Sequence, residues 1–449
     1  MKRRYLRSLI AVALLVALWF AFKGWNNHKT REEAQKAEAK TTEKILSVPS
    51  GAIASFTVRS RDGKSFTCDR QGKTWAIVKP LPVAADPSKV STFLTSLTTA
   101  SVGQVIASHP SDLKDFGLAP ASETIQVLTH TTPQEFTLLV GDETPTSDGA
   151  YAQVAGDPRV FTVSDDTKSS LEKSMFDLRD TRAVTVTTDN IERIIGKSST
   201  QSYTLAKNPE GVWEVSIPPD VRADHFTVDG LVDNLQSLSM DSVVAEKKKE
   251  DPQYGFAKPT LTLQLITPSA SQTLIVGGKT KAGTYYAENS GLAPVFTLDS
   301  SSVSQFEKAS NDFRDKNLFS WDMFDVKSFE VTSPKGHWAF QQDKNQWKQT
   351  APSSKAASSD DVNAFLSTLR NLDASSFPQA KPGEMGRFGF DKPSYTFKVT
   401  FGAKNQTETV DVAQSGGHIY ARRESDPLPS EVSQSDLTSL EKAFAKISK

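Results

Sequence analysis

Three short motifs recur along this chain in the same order and at one spacing, and that repeat limits what it can fold into more than any other feature. A tryptophan closing a short alternating run comes first: Trp75 in GKTWAI, Trp213 in GVWEV and Trp347 in NQWKQ. An aromatic-Gly-apolar triplet follows, as Phe116-Gly117-Leu118, Tyr254-Gly255-Phe256 and Phe388-Gly389-Phe390. A downstream tyrosine is the third marker: Tyr151, Tyr286 and Tyr420. The tryptophans are separated by 138 and then 134 residues, the glycines by 138 and 134, and the tyrosines by 135 and 134. Three markers holding one period mean three copies of a single module, which suits a chain of 449 residues, too long for one core.

Periodicity inside the first copy gives the elements. Residues 55–58, 65–69 and 74–78 alternate apolar and polar, and Asp62-Gly63 and Gln71-Gly72 part them as turns between antiparallel strands. Asp86-Pro87 then opens a helix, the acid as N-cap and the proline at the first helical position. Val90, Phe93, Leu94 and Leu97 share one face of it. After the Phe-Gly-Leu corner come four more alternating runs, 124–129, 135–140, 150–154 and 159–163, and Asp165-Asp166 starts a second helix through Leu171. The later copies repeat the scheme, with helices near 228–238 and 362–369. The expected class is α+β: one N-terminal transmembrane helix followed by three tandem modules of antiparallel β-sheet with packed helices. The expected boundaries are 1–25 for a cytoplasmic tip and anchor, 26–48 for a polar stalk, then 49–184, 185–320 and 321–449 for the modules.

The anchor rests on the first 25 residues. Lys2, Arg3, Arg4 and Arg7 precede an apolar run from Leu9 to Phe22, closed by Lys23. Tyr5 and Trp25 suit the two interfaces, and the basic tip stays in the cytoplasm. The bulky stretch Leu18-Trp19-Phe20-Ala21-Phe22 offers no good small-x-small cleavage site, so an uncleaved anchor is expected over a signal peptide. The expected location is a bacterial inner membrane, single-pass, with the bulk of the chain periplasmic. The lone Cys68 excludes an intramolecular disulfide.

The repeated residues read first as structural anchors. The tryptophans suit module cores, with ligand stacking the alternative. The glycines suit a positive backbone angle at a tight corner, their aromatic neighbours packing beside them. Arg179-Asp180 and Arg314-Asp315 end the first two copies, and the third lacks this ending. They read as an ion pair or helix-end cap at a joint between modules, or as a partner-facing contact.

Catalytic and ligand motifs are sparse. Charge is balanced, 52 basic against 53 acidic residues, so nothing draws the chain to nucleic acid. Gly72-Lys73-Thr74 and Gly278-Lys279-Thr280 resemble the end of a phosphate loop, but Thr67 and Thr273 stand where its first glycine is required. The six histidines hold no zincin spacing and no shared repeat position. Asp142 and Glu143 have no counterpart pair in the second copy, where Gly278 aligns with Asp142. No cofactor, metal or catalytic set is expected.

The strings FGL-AP…TIQV, LLVGDETPTSDGAYAQ, RVFTV and FDLRD together resemble the family labelled domain of unknown function 4340, bacterial membrane-anchored proteins built from repeated modules. The resemblance covers about residues 49–449 and is weakest in the third copy, where Val412-Ala413-Gln414 replaces the Val-Gly-Asp string. Some members are associated with ABC-type transport or gliding-motility components, which implies an accessory envelope role with protein partners of that kind. The sequence therefore leads to a non-catalytic scaffold or accessory subunit. The alternatives are an envelope sugar- or peptide-binding protein, which needs a concave site, and a hydrolase, which needs two acids converging in one cleft.

Overall fold

A computed structural model describes residues 43–449 apart from 131–133, 218–219, 249, 345 and 382. The expected anchor and the stalk up to residue 42 lie outside the described residues. Among the described residues no helix is long and apolar enough to cross a membrane.

The first module starts with a meander of β1 (Ile53–Ser60), β2 (Ser65–Gln71), β3 (Thr74–Lys79) and β4 (Val83–Ala84). A helix over Pro87–Thr99 follows, then β5 (Val105–Ala107) and a second meander of β6 (Glu123–Thr129), β7 (Glu135–Glu143), β8 (Gly149–Val154) and β9 (Val160–Ser164). Helices over Asp165–Leu171 and Met175–Leu178 end it. The nine strands form one antiparallel sheet in the order β4-β3-β2-β1-β6-β7-β8-β9-β5. The two meanders therefore meet along β1 and β6, where Phe56 pairs with Val127 and Val58 with Ile125.

Alternation decides which side chains go inward. Phe56 and Val58 from β1, Phe66 and Cys68 from β2, and Ile125 and Val127 from β6 are all buried. The helix of residues 87–99 lays Val90, Phe93, Leu94 and Leu97 on that face, with the Phe93 and Phe56 ring centroids 4.9 Å apart. Asp86 caps it by accepting from the backbone amides of Ser88 and Lys89. Burial pushes the Cys68 thiol up to about 12, so it is an inert core residue.

The second module repeats this strand order in nine strands and the third in eight, with a single bridge from Ser376 to Glu431 in place of β5. Their first helices run over His225–Ser237 and Ser359–Arg370. The helices that follow the second meander differ: Asp165–Leu171 in the first module, Ser300–Ser304 in the second and Gln434–Ile447 in the third. The third is thus 14 residues long against 7 and 5.

Entry to each module is also repeated. Lys44 bridges Ser101, Arg182 bridges Ser239, and Asn317 bridges Asp373, each just beyond that module's first helix. These bridges lie a few residues ahead of positions 49, 185 and 321. In the first module, Ile45 and Leu46 belong to the core rather than to a stalk, because two adjacent apolar residues ending a polar run gain by burial. The chain divides into two compact units, one ending at Thr181 and one from Arg182 to Lys449, so the second holds two modules.

Candidate functional site

The repeated markers fall into two groups. Gly117, Gly255 and Gly389 each follow a short 3-10 turn with φ of 64°, 73° and 86°. The corner aims the preceding aromatic at the downstream tyrosine. Phe116 meets Tyr151 at 5.2 Å, Tyr254 meets Tyr286 at 5.0 Å, and Phe388 meets Tyr420 at 4.9 Å between ring centroids. In the first module a Cβ on Gly117 would fall 2.1 Å from the Asp142 carboxyl carbon, and Arg61 bridges the Gly117 carbonyl and Asp142. These two markers are one packing device.

The tryptophans stand apart and differ among themselves. Trp75 and Trp347 are buried, each 5.5 Å from a core phenylalanine, Phe56 and Phe329. Trp213 is half-buried under the Lys207 ammonium, which sits 5.0 Å from its centroid. Its short strand, Trp213–Val215, leaves the ring at the rim of its core.

The Arg-Asp endings lie beside the first helix of their own module. Arg179 bridges Ala85 and the Asp180 amide donates to the Ala84 carbonyl; Arg314 bridges Ala223 and the Asp315 amide donates to the Arg222 carbonyl. In the second unit the motif also reaches the third module. Arg314 is buried, with its guanidinium 4.0 Å from the Phe377 centroid and 3.5 Å from Asp426. Arg423 is buried against the same Asp426 at 3.4 Å and donates to the Asn317 carbonyl. Arg222 pairs with Asp315 at 2.6 Å. Burial lowers the pKa of both Arg314 and Arg423, and the nearby carboxylates oppose that shift. The second and third modules are therefore joined through a largely buried ionic network, which holds only if each charge keeps its partner.

Elsewhere in the first module lies a groove of about 800 Å³. Val58, Phe66, Pro80, Met175 and Phe176 form its apolar walls. Three acids line it as well: Asp62 at the β1–β2 turn, Glu123 at the start of β6, and Glu172 just after the helix Asp165–Leu171. Asp62 is spoken for, paired with Lys64 at 2.7 Å and held well below the usual carboxylate range chiefly by that hydrogen bond. Glu123 is not. Its Oε2 is buried without a hydrogen-bond partner, and burial, then the charges of Glu172 and Asp62, push its carboxyl up to about 7. Glu172 has a distant cation in Lys168, 3.7 Å away, whose closer partner is Glu143 at 2.6 Å. Near neutrality Glu123 can donate or accept a proton, or hold a cation.

None of the sequence markers lines this groove. One signal did point to it: Glu123 shares the inward parity of Ile125 and Val127, where an acid is out of place. Arg423 likewise shares the parity of Ile419 and Ala421. Among the described residues no three His, Cys, Asp or Glu side chains converge as a metal set.

One family profile, described as a domain of unknown function (DUF4340), matches the chain three times, over residues 75–217, 213–378 and 347–448. The three matches begin at Trp75, Trp213 and Trp347, the first repeated marker. Comparison with curated proteins gives no match.

Proposed function

We propose that this chain, which belongs to the DUF4340 family, is a non-catalytic, membrane-anchored envelope protein that positions partners as a scaffold or accessory subunit. On this reading residues 1–25 hold it in a bacterial inner membrane with the modules on the periplasmic side. The observation that supports it is the ionic joint of Arg314, Arg423 and Asp426. A buried network of this kind fixes two modules as one body, and a rigid tandem presents two surfaces at a set spacing, which raises effective concentration for a partner touching both. Subunits of an ABC-type transport complex are the proposed partners.

A second reading, an envelope ligand-binding protein, draws on the groove around Glu123. The hydrolase alternative would draw on Glu123 and Glu172 in the same groove. Crosslinking the full-length chain in its native membranes, with recovery through a C-terminal tag, separates these. Reproducible recovery of transporter or other envelope subunits supports the scaffold. Recovery of the chain alone contradicts it.

A further inference from the structure

The three modules treat one place in the fold in three ways. In the first, Val58 of β1 pairs with Phe66 of β2, and Glu123 opens the neighbouring strand opposite Ser60. The second module has Gly196 opposite Tyr203, and Leu261 opposite Ser198. The third has Val331 opposite Trp338, and Tyr395 two residues ahead of the Val331 partner Phe397.

In the second module the place is filled from within. The Tyr203 ring lies over Gly196 so closely that a Cβ there would sit 2.2 Å from it, and it packs on Phe313 at 4.7 Å. Leu261, two residues ahead of the Gly196 partner Leu263, is buried.

In the third module the long last helix fills it. Phe444 stands edge-on to Trp338 at 5.1 Å, the Trp338 indole donates to the Ser448 carbonyl, and the Tyr395 hydroxyl donates to Glu441 at 3.1 Å. The serine N-caps align the helices: Ser433 corresponds to Ser164, which puts Glu441 level with Glu172 and Phe444 level with Met175. The phenol–carboxylate pair of the third module thus corresponds to Glu123 and Glu172 in the first, and Met175 takes the sequence position of Phe444. The helix stops at Leu171, and the space stays open.

We propose that this groove binds a small ligand carrying an ammonium or guanidinium group on an apolar body. The walls take the apolar part, as Phe444 is taken in the third module. Glu123 and Glu172 take the cation, because the first has a buried oxygen with nothing to accept from and the second has only a distant lysine. The two lysines at the groove are committed elsewhere: Lys64 to Asp62, and Lys173 to the Ser169 carbonyl. A ligand cation removes the repulsion between the glutamates and restores the donor that Tyr395 supplies in the third module. The volume of about 800 Å³ is that of a small-molecule site. This inference is independent of the scaffold reading.

The test is direct titration of the full-length chain with 4-phenylbutylamine, 4-phenylbutanol and 4-phenylbutanoate, followed by calorimetry at pH 6 and pH 8. The amine is expected to bind roughly tenfold or more tighter than the alcohol, the worth of one charge-assisted contact, and the carboxylate weakest. Binding of the amine should strengthen from pH 6 to pH 8 as Glu123 ionises, because the amine stays charged throughout. Glu123→Gln should weaken the preference and remove the pH dependence. Glu123→Leu, which copies the second module, should do the same with thermal unfolding intact, separating lost binding from lost folding. An N-acetyl Phe-Lys amide in the same titration tells a free amine from a partner's basic side chain by which binds tighter. Equal affinity for the three phenylbutyl probes, no binding of any cationic probe, or an unchanged Glu123→Gln variant overturns the proposal.

Discussion

The first and third modules share a sheet order, a capped helix and a Phe-Gly corner, yet at one place they have parted. The third closes it with aromatic side chains from a 14-residue helix. The first ends that helix after 7 residues and leaves two glutamates facing an apolar groove. Tandem copies of one fold can thus split their duties. A copy that fills its groove gains stability, and a copy that leaves it open retains ionisable groups under strain, the arrangement seen where proteins bind ligands.

The sharpest way to break this comparison is to remove what fills the third module. Phe444→Ala should cost about 3–5 kcal/mol, the usual loss for a buried aromatic, read as a lowered calorimetric transition of the second unit. Its counterpart Met175→Ala, half-exposed at an open groove, should cost about 1 kcal/mol. Equal costs would mean that the two sites are packed alike.

Asp426→Ala tests the joint and belongs in the same range, about 3–5 kcal/mol, because it strands Arg314 and Arg423 without a shared counter-charge. A loss below about 1 kcal/mol would make the network a surface feature and remove the support for a rigid pair.

Much of this architecture was legible in the sequence. The period of the three markers gave the modules, the alternation gave the strands of both meanders, and Asp86-Pro87 gave the first helix with its buried face of Val90, Phe93, Leu94 and Leu97. The sites were less so. Glu123 and Glu172 are 49 residues apart and line one groove only because β6 pairs beside β1 while the helix Asp165–Leu171 folds back, a tertiary fact with no local pattern. Asp426 meets Arg314 across 112 residues for the same reason. The repeat itself turned attention away from the groove, since it marks what the copies share and the groove lies where they differ. Trp213 shows the same limit: the marker persists, but its short strand leaves the ring half-buried.

A smaller effect sharpens the comparison from the other side. Met175→Phe supplies the aromatic that Phe444 provides in the third module. It should change stability by no more than about 1 kcal/mol while blocking binding of 4-phenylbutylamine, as measured by calorimetry. Retained binding would place the ligand outside the groove.

The smallest expected effect is on the pH dependence of stability. The Glu123 carboxyl is raised from 4.5 to about 7 in the folded state. The folded chain therefore holds a proton that the unfolded chain has released, and this contribution is fully present below about 4.5 and lost as pH rises through about 7. For a side chain only partly buried the amplitude is about 1 kcal/mol after screening. Glu123→Gln should flatten that slope in chemical unfolding between pH 4.5 and pH 8, and an unchanged slope would assign it to another group.

The most direct measurement of an open, ionisable groove in the first module is the titration of Glu123 itself. Carbon-13 NMR of the glutamate carboxyls, with the signal assigned by its loss in Glu123→Gln, should give a midpoint of about 7, and Glu172→Gln should lower it. A midpoint near 4.5, unmoved by Glu172→Gln, would mean that Glu123 is solvated and independent, and would contradict the account of the groove.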